Sequence, residues 1–269
     1  MKKITFIGAG NMGEALIRGI IADGLFLPAA ITAADPDEDR RKKLTEKLGI
    51  NSTADNREAV RGADIVCLAV KPRMLDPVLE EIADDINEEH LLISILAGVT
   101  TGKIEEKFKS NIRVVRVMPN TPALVRAGMS GISGGRHAGP DDLNTVADIQ
   151  RAVGEVIEVP EDLLDPVTGV SGSGPAYLFY FVEALTRAGV KVGLPPEQSE
   201  ILARKTLIGA AKLLDETGLS AEELRRNVTS PGGTTQAAIS TFKRLGFERI
   251  VEEAVRAAWK RAREQGEEN

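Results

Sequence analysis

One cysteine and two histidines are all that this chain of 269 residues offers for disulfide, thiol or zinc chemistry. A lone Cys67 cannot form an intrachain disulfide and suits a reducing compartment. It lies in the apolar run Ile65-Val66-Cys67-Leu68-Ala69-Val70 with no histidine near it in sequence, so a buried small hydrophobe is expected there, not a nucleophile. His90 and His137 stand far apart without ligand spacing, which argues against a zinc site. A basic excess is missing as well. With 34 Lys and Arg against 40 Asp and Glu, the net charge of −6 gives no footprint for nucleic acid or an anionic membrane. No stretch approaches the length of an apolar membrane span. The start, Met1-Lys2-Lys3-Ile4, lacks the apolar core and cleavage site of a secretory leader, and a cytoplasmic location is expected.

What is present is ordinary globular material, 42% hydrophobic and 28% charged, enough for one large domain or two smaller ones. The first half alternates short β-like runs with helical stretches. Strands are expected over Ile4–Gly8, Ala30–Ala34, Ile65–Val70, Leu91–Leu96 and Val114–Met118. Between them fall helices over Met12–Asp23, Asp37–Leu48 with Gly49 as its stop, Met74–Asp84 and Thr101–Phe108. This alternation predicts a parallel sheet with right-handed crossovers. Strand signals fade after about Pro160. Helices are then expected over Ala176–Ala188, Glu197–Glu216, Ala221–Asn227, Thr234–Leu245 and Phe247–Glu264, followed by a polar tail, Glu264–Asn269, that frays. The boundary is set near 160, giving domains 1–160 and 161–269. Leu202, Leu207, Ile208, Ala211 and Leu214 make a wide apolar face for so small a bundle, which predicts packing against a second subunit.

The strongest local motif is Gly8-Ala9-Gly10-Asn11-Met12-Gly13, placed where a strand ends and a helix opens. In a dinucleotide site Gly8 allows the tight turn, Gly10 lets the backbone approach a pyrophosphate, and Gly13 lets helix and sheet pack closely. Unpaired N–H groups at the helix start would bind the phosphates. The first domain is therefore expected to be a doubly wound, Rossmann-like α/β sheet. Asp35, at the end of the second strand, has two readings. It accepts hydrogen bonds from ribose hydroxyls, favouring NADH, or it merely leads into a helix before Pro36. Arg40, Arg41, Lys42 and Lys43 could reach a phosphate, but a solvated helix face is the reading we adopt for them. Lys71-Pro72 and Ala97-Gly98 follow strand carboxyl ends and are either edges of a nicotinamide pocket or ordinary loop turns.

Three more segments read as constrained turns. They are Pro119-Asn120-Thr121-Pro122, Ser171-Gly172-Ser173-Gly174-Pro175, and Ser230-Pro231-Gly232-Gly233-Thr234-Thr235. The last exposes backbone N–H groups at a helix start. It suits either a substrate carboxylate, helped by the hydroxyls of Ser230, Thr234 and Thr235, or plain helix capping.

Taken in order, Gly8–Gly13, Val70-Lys71-Pro72, Met118–Pro122, Gly169–Tyr177 and Ser230–Thr235 resemble the motif set of pyrroline-5-carboxylate reductases, from Ile4 to about Trp259. The resemblance implies an N-terminal Rossmann domain and a C-terminal all-helical dimerisation domain. It implies reduction of Δ1-pyrroline-5-carboxylate to L-proline with NADPH or NADH. It also implies a homodimer whose helices interleave, with dimers assembling into decamers in members of the family. The cofactor side would then comprise Gly8, Gly10, Asn11, Met12, Gly13, Asp35, Asn56, Ala69, Val70, Lys71, Pro72, Ala97, Gly98, Asn120 and Pro122. The substrate side would comprise Ser230, Gly232, Gly233, Thr234 and Thr235, supplied by the partner subunit, with the Thr235 hydroxyl on the substrate nitrogen. One departure counts: members that prefer NADPH often carry a small polar residue where Asp35 stands, and a carboxylate repels a 2′-phosphate. The coenzyme stays open as NADPH or NADH.

Two rival functions share this layout. A β-hydroxyacid dehydrogenase or imine reductase would use a lysine or acid of the helical domain, and Lys191, Lys205 and Lys212 lie there without a supporting motif. A protein that senses the dinucleotide without turning it over would have no need of the 230–235 loop.

Overall fold

The computed structural model describes residues 2–268. By internal contacts the chain divides into Met1–Ser173 with Ala257–Asn269, and Gly174–Arg256. The expected boundary near 160 thus falls inside the first compact unit, because 161–167 is tied down there. Arg116, almost wholly buried, pairs with Asp165 at 2.8 Å, and Glu161 accepts from the Thr101 amide at 2.7 Å.

The first unit holds strands β1 (Ile4–Ile7), β2 (Ile31–Ala34), β3 (Asn51–Thr53), β4 (Ile65–Leu68), β5 (Leu91–Ser94), β6 (Arg113–Met118), β7 (Gly128–Gly134) and β8 (Gly154–Glu158). They form one sheet in the order β3-β2-β1-β4-β5-β6-β7-β8. Every neighbouring pair is parallel except β6 and β7. The central parallel strands β1, β4 and β5 are apolar and wholly buried, as strands covered on both faces are. Helices α1 (Asn11–Ala22), α2 (Glu38–Leu48), α3 (Asn56–Val60), α4 (Leu75–Ile82), α5 (Thr101–Glu105), α6 (Pro140–Arg151) and α7 (Leu164–Val167) accompany it. Two apolar clusters result. One centres on Phe6, Leu16, Ile17 and Ile93, the other on Leu68, Leu79, Ile82 and Leu92.

Three strands and three helices, α7 among them, depart from the expected pattern. β3 is three polar residues, β7 carries glycine at 128, 131 and 134, and β8 is a half-exposed edge, so none has the apolar run of a central strand. The short helix α3 was not expected. Neither was α6, although Pro140 marks its first position and Asp142 accepts from the Gly139 amide at 3.0 Å.

The second unit comprises α8 (Gly174–Lys191), α9 (Pro196–Thr217), α10 (Ala221–Asn227), α11 (Thr234–Arg244) and the first part of α12 (Phe247–Glu268), whose remainder groups with the first unit. Helices α8 and α9 pack on each other. Ser199 donates to the Thr186 carbonyl at 2.7 Å, and only a glycine fits at 189, where a Cβ would sit 2.1 Å from that hydroxyl. In this unit only Ser199 and Ala203 are buried, whereas Phe179 and Tyr180 are 62% and 67% exposed. Among the described residues no helix is long and apolar enough to cross a membrane.

Candidate functional site

The glycine loop is built where β1, β2 and β4 end together. The Gly8 amide donates to Ala34 O, and the Ala69 amide donates to Ile7 O, both at 2.8 Å. Gly8 has φ +92°, and a Cβ on it would lie 2.7 Å from the Ala69 carbonyl oxygen. A Cβ on Gly13 would lie 2.8 Å from Gly8 O, so α1 sits as close to the loop as backbone allows. Gly10 is different. Its φ is −62° and the nearest atom to an added Cβ is Arg40 Nη1 at 3.6 Å, leaving open space in front of it. Gly10 caps α1 without a side-chain acceptor, and among the described residues the amides of Asn11, Met12 and Gly13 have no acceptor. Open amides behind an uncrowded glycine fit a pyrophosphate.

Asp35 is more than a lead into a helix. Its Oδ2 accepts from the Ala9 amide at 2.9 Å and its Oδ1 from the Asp37 amide at 3.0 Å, so the carboxylate braces the glycine loop itself. Reading Arg40–Lys43 as a solvated face is corrected at Arg40 and Arg41 and holds at Lys42 and Lys43. Arg40 Nη1 donates to Ala9 O at 3.2 Å, Arg41 Nη1 donates to Asp35 O at 2.6 Å, and Lys43 pairs with Glu14 at 3.3 Å. Lys42 and Lys43 both stay at the solvent, Lys43 in a surface ion pair. Burial works to raise the Glu14 carboxyl, but Arg18 and Lys43 outweigh it and hold it below the ordinary carboxylate value. Two guanidinium groups therefore stand beside the glycine loop and the end of β2.

The other cofactor-side residues divide. Ala69 and Val70 lie against Gly8, just past the end of β4, and Lys71 is exposed before the turn Pro72–Met74. Ala97 and Gly98 follow β5. Gly98 has φ +75°, and a Cβ there would meet Gly266 N at 2.8 Å and Ala262 O at 3.1 Å. The last turns of α12 thus seat on Gly98, and the tail expected to fray is helical through Glu268; Asn269 lies outside the described residues. Asn120 is buried and fully engaged. It accepts from the Met129 amide at 2.9 Å and donates to Ser171 O at 3.2 Å, while Pro122 sits in the turn Thr121–Val125. Asn56 donates to Glu81 on α4 at 2.8 Å, and among the described residues no hydrogen bond ties it to the glycine loop. The Ser171–Pro175 segment is not a turn: Thr168–Gly172 is a wide helical turn that runs on into α8.

The loop before α11 stands in the second unit. Gly232 has φ +72°, the Gly233 amide donates to Ser230 O at 3.0 Å, and Gly233 caps α11 with no side-chain acceptor. Among the described residues the amides of Thr234, Thr235 and Gln236 have no acceptor. The positive end of an eleven-residue helix thus faces solvent between two threonine hydroxyls, Thr235 half-buried and Thr234 exposed. The sequence reading missed Gln236. Its Oε1 accepts from the Gly232 amide at 2.6 Å, a reach-back from the first helical turn that the Gly233-x-x-Gln236 spacing could have signalled.

The family described as pyrroline-5-carboxylate reductase dimerisation matches residues 161–265, and that described as NADP oxidoreductase, coenzyme F420-dependent, matches residues 3–98. Pyrroline-5-carboxylate reductase of Synechocystis is 42% identical over 264 residues, covering 98% of both chains. The Escherichia coli enzyme of that name is 41% identical and covers 94% of both. Among solved structures, a pyrroline-5-carboxylate reductase from Coxiella burnetii superposes with a TM-score of 0.93 at 42% identity over 98% of both chains. Pyrroline carboxylate reductase of Plasmodium falciparum, solved with NADP bound, gives 0.86 at 33% identity, also over 98% of both.

Proposed function

The chain belongs to the pyrroline-5-carboxylate reductase family, and from that premise we propose that it reduces Δ1-pyrroline-5-carboxylate to L-proline with NADPH or NADH. The observation that carries the reading is the unsatisfied start of α11 behind Ser230–Thr235, a receptor for one carboxylate in a chain that also has a pyrophosphate-shaped glycine loop. Reduced nicotinamide dinucleotide, when bound, supplies a hydride. The chain's own residues position. Gly10 and the amides of Asn11, Met12 and Gly13 hold the pyrophosphate, Asp35 and Arg40 set the loop for the adenosine ribose, and Lys71, Pro72, Ala97 and Gly98 border the nicotinamide side.

The substrate ring nitrogen is basic enough to be partly protonated near neutral pH, so the accepting carbon is an iminium carbon and no strong protein acid is needed. That agrees with two scattered histidines and no acid–base pair in the sequence. The amides of Gly232, Thr234 and Thr235 hold the substrate carboxylate, with Ser230 and Gly233 shaping the loop, and the Thr235 hydroxyl orients the ring nitrogen. Residues 1–160 act as the dinucleotide domain and 161–269 as the dimerisation and substrate domain of a cytoplasmic homodimer. The exposed apolar faces of α8 and α9 support a second copy as their cover, and the lone buried cysteine suits a reducing compartment. Dimers of this kind can assemble further into decamers.

The experiment is a steady-state assay of coenzyme oxidation with pyrroline-5-carboxylate and, in parallel, coenzyme reduction with 3-hydroxyacids. Oxidation with formation of proline is expected. Turnover of the hydroxyacids alone, or no turnover of either, would overturn the assignment.

A further inference from the structure

The receptor before α11 is not empty of acceptors, because the protein supplies one itself. The Gly232 amide, which the φ of +72° presents beside the helix start, is taken by Gln236 Oε1 at 2.6 Å. This is the one side-chain acceptor on the loop's amides, since Gly233 has no side chain to offer and the amides of Thr234, Thr235 and Gln236 carry no acceptor among the described residues. An amide oxygen on a backbone N–H at a helix start is the neutral analogue of a carboxylate oxygen on the same group. The side chain also has somewhere else to go. Gln236 lines a cavity of about 430 Å³ between α10 and α11, with Arg225, Arg226, Thr229, Ile239, Ser240 and Lys243. Arg226 and Lys243 have no acidic partner among the described residues, and Arg225 has only Glu222 at 3.8 Å, so the cavity wall is rich in donors for a displaced amide oxygen.

Building on the reading of this loop as the carboxylate receptor, we propose that Gln236 is an internal competitor for it. In the free protein the glutamine amide caps Gly232, and the incoming carboxylate displaces it towards the Arg225–Lys243 cavity. Affinity for any carboxylate at this site is then lowered by the fraction of molecules in which the cap is closed. Gln236 thereby sets the substrate concentration range of the enzyme without touching the reacting atoms. It is a positioning residue. The same closed cap spares an otherwise bare helix start the loss of one hydrogen bond when no substrate is present.

Gln236→Leu keeps the bulk and removes the acceptor. It is expected to lower KM for pyrroline-5-carboxylate about two- to tenfold, the scale of one neutral hydrogen bond, with kcat within twofold of the parent. The inhibition constant of L-proline, read in the same assay, falls in parallel. Gln236→Glu places a charged acceptor on the Gly232 amide and raises both constants tenfold or more. A residue that merely braced the loop would give the opposite sign for Gln236→Leu, a higher KM. An unchanged or raised KM in Gln236→Leu therefore overturns the proposal while leaving the reductase assignment standing. Absence of imine-dependent coenzyme oxidation in the parent protein removes the assignment and the proposal together.

Discussion

Two glycines two positions apart should fail in different ways when a single methyl is added. At Gly8 the backbone is left-handed, with φ +92°, which costs an L-residue about 1–2 kcal/mol. The new Cβ would also stand 2.7 Å from the Ala69 carbonyl oxygen and 2.8 Å from its carbon. Neither is the end of a flexible side chain, so β1 and β4 must part, at a cost of about 1–3 kcal/mol for overpacking. Gly8→Ala is therefore expected to destabilise the first unit by roughly 2–5 kcal/mol, which lowers its melting temperature by about 4–20 °C. At Gly10 the backbone is extended at φ −62° and the nearest neighbour would be a guanidinium nitrogen at 3.6 Å, an ordinary contact. Gly10→Ala should keep stability within about 0.5 kcal/mol and instead weaken coenzyme binding by about tenfold or more, because the methyl stands where a phosphate must approach. Thermal unfolding followed by circular dichroism, beside a fluorescence titration with NADH and NADPH, reads both quantities. If Gly10→Ala melted as early as Gly8→Ala, or bound both coenzymes like the parent, the division between a glycine for the fold and a glycine for the ligand would be wrong.

Thr235→Ala should lower kcat/KM by about tenfold to a thousandfold through loss of the hydroxyl on the ring nitrogen; parental turnover would remove Thr235 from the mechanism. Asp35→Ser takes a carboxylate away from the Ala9 and Asp37 amides and leaves Arg40 and Arg41 in place, so the ratio of kcat/KM with NADPH to that with NADH should rise; an unchanged ratio would show that Asp35 serves the loop alone. Burial pushes the Cys67 thiol up to about 12, leaving about one thiolate in ten thousand at pH 8, so a disulfide reagent should label the protein only as fast as it unfolds. Rapid labelling of the folded enzyme would contradict that environment.

What the sequence revealed of the fold followed burial on both faces. β1, β4 and β5 are wholly buried, and their apolar runs were readable as central strands without any knowledge of partners. β7 escaped because its place is fixed by close approach, not by apolar bulk. A Cβ on Gly128 would sit 3.0 Å from the Val153 carbonyl oxygen and one on Gly131 3.0 Å from Leu164, so small residues are needed where a strand signal asks for large ones. The glycine loop was readable for the same reason in reverse: its spacing records which backbone atoms must touch. Asp35, Arg40 and Arg41 were only half readable. Their position was plain, but whether a side chain on the next helix folds back onto a loop depends on helix orientation, which no local pattern carries. Gln236 illustrates the limit most sharply, because one residue can be a solvent-facing polar position or a cap according to a single side-chain torsion.

The helical unit shows why a wide apolar stripe is a signal of a different kind. Leu178, Phe179, Tyr180, Phe181, Leu185, Ile201, Leu202 and Ile208 all stand exposed on α8 and α9. Each is already about half covered and forgoes roughly half of the 1.5–3 kcal/mol that full burial brings, so together they withhold about 6–12 kcal/mol, comparable to the net stability of a typical domain. A unit that buries only Ser199 and Ala203 has no other source of that energy within one chain. Its folding and its association are then one equilibrium, dependent on protomer concentration. The loop that presents Thr234 and Thr235 is carried by this unit, so the carboxylate receptor proposed for it acquires its rigidity from the same burial. Substrate binding and assembly draw on a common free energy, and a substitution that loosens the apolar stripe must weaken the receptor even though it lies nowhere in it.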